Sequence, residues 1–228
     1  MPRETLIFTA VHGNEGFSIP IVQQLSNKFD FEWIIANPRA LQENCRFLQA
    51  DLNRSGPGDP NSNVYEQRLA FRLIEKGCEY QQVIDIHGTN ANTGVFIIIG
   101  DPNWQNIELA KKFDIANVVL WPGLLPTGPL CQFIPNSLEI ENGPKNSTII
   151  SQELDRVLTA FFNKQPPTVT QQYFIVTGRL IGVNQEGLED FQEVTIENTT
   201  FYPLLVGQYT EITCYMMQKL NSDKISYD

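Results

Sequence analysis

The chain is poor in histidine, in basic residues and in long apolar runs. Only two histidines occur among its 228 residues, so it can build few histidine-based sites. Its 16 Lys and Arg residues stand against 26 Asp and Glu, a net charge of −10. This balance argues against nucleic acid as the main partner, because phosphate binding needs a basic surface. No apolar run approaches the roughly 20 residues of a membrane helix, and no signal peptide is recognisable. We therefore expect a cytoplasmic protein without a membrane partner.

Paired cysteines are also lacking. The four cysteines are scattered and include no Cys-x-x-Cys pair. A chain of this length, 42% hydrophobic, builds a sizeable core without a disulfide framework. We interpret the cysteines as reduced, and the length as sufficient for one full domain and a small second one.

Buried strands alternate with amphipathic helices through the first part of the chain. The periodicity predicts strands over 5–11, 31–36, 82–86, 95–99, 118–121 and 138–141, and helices over 15–28, 64–76, 107–113 and 148–162. Such alternation predicts an α/β fold, with a mostly parallel or mixed sheet and helices on both faces.

The composition changes after Gln165-Pro166-Pro167. Beyond it, strands are predicted over 173–176, 194–196, 202–206 and 210–215, with no strong helix between them. The sequence therefore predicts an α/β domain over residues 1–165 and a small C-terminal all-β domain over residues 168–228.

Both histidines follow predicted buried strands. His12 begins the sequence His12-Gly13-Asn14-Glu15, and His87 ends the sequence Asp85-Ile86-His87. Open α/β sheets place their ligand sites at such strand ends. His12 and Glu15 are three residues apart and on a tight turn can face one point. Two imidazoles and one carboxylate suit a catalytic zinc site with an open fourth position. We favour this hypothesis over two ordinary polar residues at strand ends.

Carboxylates near these strand ends are candidates for supporting roles. Asp85, two residues before His87, either orients the imidazole or anchors the loop. Glu141 ends a predicted strand and is a candidate general base. Glu139 lies on the same side of that strand, which leaves the choice between the two glutamates open.

Three arginines, Arg39, Arg46 and Arg54, fall within 16 residues of an otherwise acidic protein. The guanidinium fork matches carboxylate geometry, and the adjacent Asn53 adds neutral donors. The cluster indicates either a site for a small anionic substrate or a solvated charged loop.

Taken together, these residues resemble the succinylglutamate desuccinylase and aspartoacylase family, a branch of the zinc carboxypeptidase fold. The matching pieces occur in the family's order across residues 12–144. They are His12-Gly13-Asn14-Glu15, Asn37-Pro38-Arg39-Ala40, Arg46 with Asp51-Leu52-Asn53-Arg54, Asp85-Ile86-His87-Gly88-Thr89, and Glu141-Asn142-Gly143-Pro144.

The resemblance implies one Zn²⁺ per chain and a set of residue roles. The implied zinc ligands are His12, Glu15 and His87. The remaining implied roles are general base and acid for Glu141, oxyanion stabilisation for Arg46, and binding of the amino-acid carboxylate for Asn53 and Arg54. The implied reaction is attack of the zinc-bound water on the amide carbon of a small N-acyl amino acid.

Two places depart from the family pattern. Aspartoacylase-like members carry a substrate arginine about ten residues before the catalytic glutamate, whereas no arginine lies between Trp121 and Glu141 here. The family tyrosine that follows a Tyr-Pro-x-x-x-Gly strand aligns with Glu211, and Tyr209 and Tyr215 lie nearby. The sequence leaves open which tyrosine reaches the site.

The predicted function is therefore a zinc-dependent amidohydrolase of a small anionic N-acyl amino acid. The alternatives are a carboxypeptidase-like hydrolase of a small peptide or amidated amino acid, and a non-catalytic metal-binding relative. The sequence does not fix the acyl group, and it is compatible with a homo-oligomer.

Overall fold

A computed structural model describes residues 3–123 and 127–221. Its strands are β1 (Arg3–Thr9), β2 (Glu32–Ile35), β3 (Tyr80–Gly88), β4 (Gly94–Ile99), β5 (Asn117–Leu120), β6 (Ser137–Gly143), β7 (Gln172–Leu180), β8 (Val194–Ile196), β9 (Thr199–Leu204) and β10 (Cys214–Leu220). Its α-helices are α1 (Ile19–Ser26), α2 (Pro38–Gln42), α3 (Tyr65–Gly77), α4 (Trp104–Ala110) and α5 (Thr148–Phe162).

The strands form one mixed sheet in the order β2-β1-β3-β6-β4-β5-β7-β10-β9-β8. The first four strands in that order run parallel to one another. Strand β4 is antiparallel to β6, and β5 and β7 then run parallel to β4. Because β1, β3 and β6 are adjacent and parallel, their carboxyl ends meet at one edge of the sheet. This arrangement confirms the predicted α/β class with a mixed sheet.

Helices cover both faces of the sheet, as predicted. Helices α1, α4 and α5 bury apolar side chains such as Leu25, Ile107 and Leu158 on one face. Helix α3 packs Ala70 and Leu73 on the opposite face. Alternation along the strands explains the two layers, since Ile84 and Ile86 contribute to the first core and Val83 to the second. No helix among the described residues is long and apolar enough to cross a membrane.

The predicted helix boundaries hold unevenly. Helix α3 lies within one residue of the predicted 64–76, whereas α4 begins and ends three residues before the predicted 107–113. The helix predicted over 148–162 is α5, which begins after the N-cap Ser147. The helix predicted over 15–28 instead begins as a 3-10 turn, Gly16–Ser18, and becomes α1 only at Ile19. Pro20 lies in the first turn of α1, where a missing backbone N–H is tolerated.

The C-terminal strands extend the main sheet. Strand β7 pairs in parallel with β5, and β10, β9 and β8 follow in antiparallel order. A third apolar cluster, which includes Phe96, Phe174 and Met217, lies beneath them. A C-terminal β unit is thus present among the described residues, while its separation as a domain over 168–228 stays a prediction, and residues 222–228 lie outside the described residues.

The strand predicted over 210–215 is misplaced. Residues 210–213 belong to no strand, and β10 begins only at Cys214 and continues to Leu220. The β-branched Thr210, Ile212 and Thr213 suggested a strand, but β-propensity depends on context. In the folded chain, β10 gains partners on both sides from β7 and β9.

Candidate functional site

The turn after β1 brings His12 and Glu15 together. The backbone N–H of Glu15 donates to the His12 carbonyl oxygen at 3.0 Å. A Cβ at Gly13 would lie only 2.0 Å from the backbone carbon of Ala40, so this position needs glycine. Ala40 is fixed in turn because its N–H donates to the N-cap Asn37 at 3.2 Å. The first two sequence motifs therefore pack against each other.

His12, Glu15 and His87 form a buried cluster in which one atom of each lies within 4.8 Å of the others. His12 Nδ1 is 2.9 Å from Glu15 Oε1, and His87 Nδ1 is 3.4 Å from Glu15 Oε2. Donor atoms that lie about 2 Å from a tetrahedral zinc ion are roughly 3.3 Å apart. The spacing therefore fits a single divalent ion.

Each imidazole uses its other nitrogen to bind a second carboxylate. His12 Nε2 lies 3.1 Å from Asp51 Oδ1, and His87 Nε2 lies 3.0 Å from Asp85 Oδ2. Carboxylates in this position hold the proton on Nε2 and leave Nδ1 to coordinate a metal. The predicted orienting role of Asp85 matches this geometry. The donor set, its tautomers and its burial all suit zinc.

The charged groups of the cluster stabilise one another. Burial lowers the pKa of His12 and His87, but the surrounding carboxylates outweigh it and raise both pKa values. Burial likewise raises the pKa of Glu15, yet hydrogen bonds from the two imidazoles bring it well below its usual range. The pKa of Asp51 falls for the same reason, through His12 and Arg46. Positive charge held among these groups is thus stabilised.

Two glutamates of β6 face the site at different depths. Glu141 is level with His87 in the β3–β6 register, whereas Glu139 is level with Asp85. Glu141 Oε2 is buried without a hydrogen-bond partner in the described structure. Burial raises the pKa of Glu141 to about 7 and also raises the pKa of Glu139. The register places Glu141 beside the metal-ligand cluster and Glu139 one step deeper.

Arg46 lies beside the cluster and is held by Asp51. Its Nε and Nη2 donate to Asp51 Oδ2 at 3.2 and 3.0 Å, and its Nη1 is 3.8 Å from Glu15 Oε1. The side chain is 34% exposed, so part of the guanidinium faces the cavity. Burial opposes the charge, but Asp51 and Glu15 raise the pKa of Arg46.

The remaining predicted substrate residues lie in different surroundings. Arg54 is exposed and lines the cavity. Asn53 also lines the cavity but is buried, with Oδ1 accepting from the Leu130 N–H and Nδ2 lying 3.5 Å from Glu139. Arg39 does not line the cavity and stacks over the ring of Tyr65 at 4.7 Å. Two of the three clustered arginines therefore reach the site.

A cavity of about 430 Å³ connects the cluster to an aromatic far wall. This far wall consists of Trp121, Arg179, Tyr209 and Tyr215. The Tyr215 ring lies 4.4 Å from that of Trp121 and 6.0 Å from that of Tyr209. Both candidate tyrosines thus line the cavity. Burial raises the pKa of Tyr209 to about 12, so its hydroxyl stays protonated at neutral pH.

Two contributors escaped the sequence analysis. Asp51 belongs to the Asp51-Leu52-Asn53-Arg54 motif, and its position five residues after Arg46 is a sequence signal for the contact that the structure shows. Arg179 lies on β7, opposite Tyr215 in the β7–β10 register, with its guanidinium 5.8 Å from that ring. No local pattern indicates that this strand residue reaches the cavity. Within the described residues, Arg179 forms no salt bridge.

Residues 2–122 match the sequence profile of the Succinylglutamate desuccinylase/Aspartoacylase catalytic domain. That range contains the His12, Glu15 and His87 cluster but ends before Glu141.

Curated relatives resemble part of the chain. A "Probable aspartoacylase" of Prochlorococcus marinus subsp. pastoris is 31% identical over 157 residues, which cover 62% of this chain and 53% of that protein. The "N-acyl-aromatic-L-amino acid amidohydrolase (carboxylate-forming)" of Mus musculus is 33% identical over 183 residues, covering 67% and 58%. The chain spans about half the length of the curated relatives that it matches.

Solved structures share the fold over nearly the whole chain. Murine aminoacylase 3 superposes with a TM-score of 0.77 at 16% identity and covers 96% of both chains. The succinylglutamate desuccinylase from Chromobacterium violaceum gives a TM-score of 0.71 at 15% identity, covering 96% of this chain and 85% of that one. At such identities the likeness establishes the fold alone.

Proposed function

The chain belongs to the succinylglutamate desuccinylase/aspartoacylase family, and on that premise we propose that it is a zinc-dependent hydrolase of a small anionic N-acyl amino acid. The observation that carries the proposal is the buried His12, Glu15 and His87 cluster, whose ligand atoms lie within 4.8 Å of one another and of which His12 and Glu15 line the cavity. Three arginines that line the same cavity, Arg46, Arg54 and Arg179, suit an anionic substrate.

His12, Glu15 and His87 would hold the metal ion. When bound, a zinc ion would lower the pKa of a coordinated water and polarise the scissile carbonyl. Asp51 and Asp85 keep the two imidazoles in the orientation that this requires.

Glu141 is the proposed proton carrier. Its register beside His87 and its unpartnered Oε2 leave it free to act within the cavity. It accepts a proton from the attacking water and delivers it to the amide nitrogen as the C–N bond breaks. The products are the carboxylate of the acyl group and the free amino acid.

Arg46 is the proposed oxyanion partner. Its two hydrogen bonds to Asp51 Oδ2 fix the guanidinium, so a donor is already oriented when charge develops on the carbonyl oxygen. Arg54, and Asn53 beside it, are the proposed binders of the carboxylate of the amino-acid part. A cytoplasmic location and a homo-oligomer remain predictions.

The first experiment is elemental analysis of the purified protein. We expect about one zinc per chain in the wild type and loss of that zinc in His87→Ala. Wild-type protein that takes up no zinc when it is supplied would remove the enzyme proposal.

Turnover separates the proposal from its alternatives. We expect the zinc-loaded wild type to hydrolyse at least one member of a panel of N-acetyl and N-succinyl amino acids, and Glu141→Gln to keep its zinc and lose about 10²- to 10⁴-fold in kcat. Preference for dipeptides or amidated amino acids would indicate the carboxypeptidase-like alternative. Zinc binding without turnover of any panel member would indicate a non-catalytic relative.

A further inference from the structure

A carboxylate outside the cavity holds the loop that precedes Asp51. Glu66 lies in the first turn of α3 and is fully buried. Its Oε1 accepts from the backbone N–H of Leu48 at 2.8 Å, and its Oε2 accepts from those of Gln49 and Ala50 at 3.3 and 3.2 Å. Among the described residues Glu66 has no salt bridge. A buried carboxylate without a cation is costly unless hydrogen bonds compensate, and here the backbone of one loop supplies them.

The loop depends on Glu66 because its amides have no other acceptor in the described part of the chain. A second hydrogen bond joins the loop to the start of α3. In this bond the helix supplies the donor, since the N–H of Tyr65 donates to Gln49 Oε1 at 2.7 Å. Residues 48–50 belong to no helix or strand. Their position relative to α3 is therefore set by these side-chain hydrogen bonds.

Asp51 follows this loop directly and connects three parts of the site. It binds His12 Nε2 through Oδ1 and Arg46 through Oδ2. Its Oδ1 also accepts from the N–H of Asn53 at 2.9 Å and so caps the 3-10 turn Leu52–Arg54. A shift of the loop by a fraction of an ångström would lengthen the Asp51–His12 bond.

We propose that Glu66 is a positioning residue for the metal centre, acting through the 48–50 loop and Asp51 on the orientation of His12. Glu66 holds the loop, the loop sets Asp51, and Asp51 keeps the His12 proton on Nε2 so that Nδ1 faces Glu15. The link to metal binding rests on the proposed function, whereas the effect on His12 does not.

The chain offers a matched control in Asp114. This carboxylate is 9% exposed and accepts from the backbone N–H groups of Thr168 and Val169 at 2.6 and 3.0 Å. Neither Asp114 nor its partners Arg156, Thr168 and Val169 line the cavity that contains the site. Asp114→Asn disturbs a carboxylate-held loop without touching the metal centre.

Imidazole NMR tests the proposal directly, because two histidines give a spectrum with two sets of ring signals. In Glu66→Gln we expect the His12 Nε2–H to exchange with water about tenfold faster or more. The His87 Nε2–H, held by Asp85, serves as an internal control and stays unchanged. Asp114→Asn should leave both signals unchanged. An unaltered His12 signal in Glu66→Gln, or equal effects of the two variants, would overturn the proposal.

Zinc affinity gives the second measurement. Loss of a hydrogen-bonding partner of a metal ligand lowers affinity by about 10- to 100-fold, and we expect a rise of about tenfold in the zinc Kd of Glu66→Gln and none in Asp114→Asn. If Glu66 acts through Asp51, the double variant with Asp51→Asn should bind zinc no more weakly than Asp51→Asn alone. Additive losses would contradict that route.

Failure of the proposed function and failure of the Glu66 proposal would give different results. Wild-type protein that binds no zinc would contradict the proposed function, while the His12 signal would still decide the role of Glu66. If Glu66→Gln does not fold, Glu66→Asp keeps the buried carboxylate but withdraws it by one methylene group from the backbone N–H groups of residues 48–50. Faster exchange of the His12 Nε2–H in that variant supports the proposal, and unchanged exchange overturns it.

Discussion

The two ends of the cavity are built by different parts of the sheet. At the metal end, the carboxyl ends of β1 and β3 supply buried side chains, and His12 and His87 each have two carboxylates within 3.4 Å of their ring nitrogens. At the far wall, β7 and β10 supply Arg179 and Tyr215, which are held by ring contacts and by the antiparallel register. The metal end is fixed by a hydrogen-bond network, whereas the far-wall contacts between described residues are mainly contacts with aromatic rings. We infer that the rate of the chemical step depends on the metal end and that the range of substrates depends on the far wall.

Among the variants that test the difference between the metal end and the far wall, Arg46→Ala should give the largest change in kcat. Removal of one preoriented oxyanion donor lowers kcat by about 10²- to 10³-fold, while zinc stays bound because Arg46 is not a ligand. Steady-state kinetics with zinc analysis of the same sample checks both parts. A change confined to KM would assign Arg46 to substrate binding instead.

Arg54→Ala should give a smaller and more selective change. A charge-assisted hydrogen bond is worth about 1.5–3 kcal/mol, so kcat/KM for a free-carboxylate substrate should fall by roughly 10- to 100-fold. The matched amidated substrate should be spared. Equal losses on both substrates would show that Arg54 does not bind the carboxylate.

Arg179→Ala tests the far wall. Arg179 is exposed, and exposed ion pairs are worth only about 0.2–1 kcal/mol. We therefore expect KM to rise about two- to fivefold for substrates with a carboxylate at the acyl end, with kcat unchanged. An N-succinyl amino acid and its N-butanoyl counterpart form the matched pair. A drop in kcat for both would mean that the far wall takes part in chemistry.

Asp114→Asn should leave kcat/KM unchanged and alter only stability. Hydrogen bonds from Arg156, Thr168 and Val169 lower the pKa of Asp114 from 3.8 to about 2 despite its burial. A lowered folded-state pKa stabilises the protein above about pH 4, and this contribution is lost as the pH falls towards 2. The variant should lose about 1–3 kcal/mol near neutral pH and show a weaker acid dependence of unfolding in urea. An unchanged acid slope would contradict this assignment.

Local sequence determined the metal end more fully than the far wall. His12, Gly13 and Glu15 lie within four residues on one turn, and Asp85 and His87 are two apart on one strand, so short-range geometry sufficed to group each set. Their meeting followed from the parallel pairing of β1 and β3. The choice of Glu141 rather than Glu139 as the glutamate beside the metal ligands depends on the β3–β6 register, which the sequence does not reveal.

Glu66 and Arg179 show why the remainder could not be predicted. A glutamate in the first turn of a helix is common, because it favours the positive end of the helix dipole. Its complete burial against the 48–50 loop is a tertiary contact between residues 16 to 18 positions apart. Arg179 alternates with apolar residues on β7 as any exposed strand residue does, and only the pairing with β10 brings it to the cavity.

The contact between Gly13 and Ala40 has an evolutionary consequence. Because a Cβ at position 13 would lie 2.0 Å from the backbone of Ala40, any other residue there must displace either the turn of His12 and Glu15 or the helix α2. Compensation therefore requires a coordinated shift of backbone in two segments about 27 positions apart, which single substitutions seldom provide. We therefore expect substitutions to be rare at Gly13 and more frequent in the far wall, where Arg179 and Trp121 can each be replaced independently.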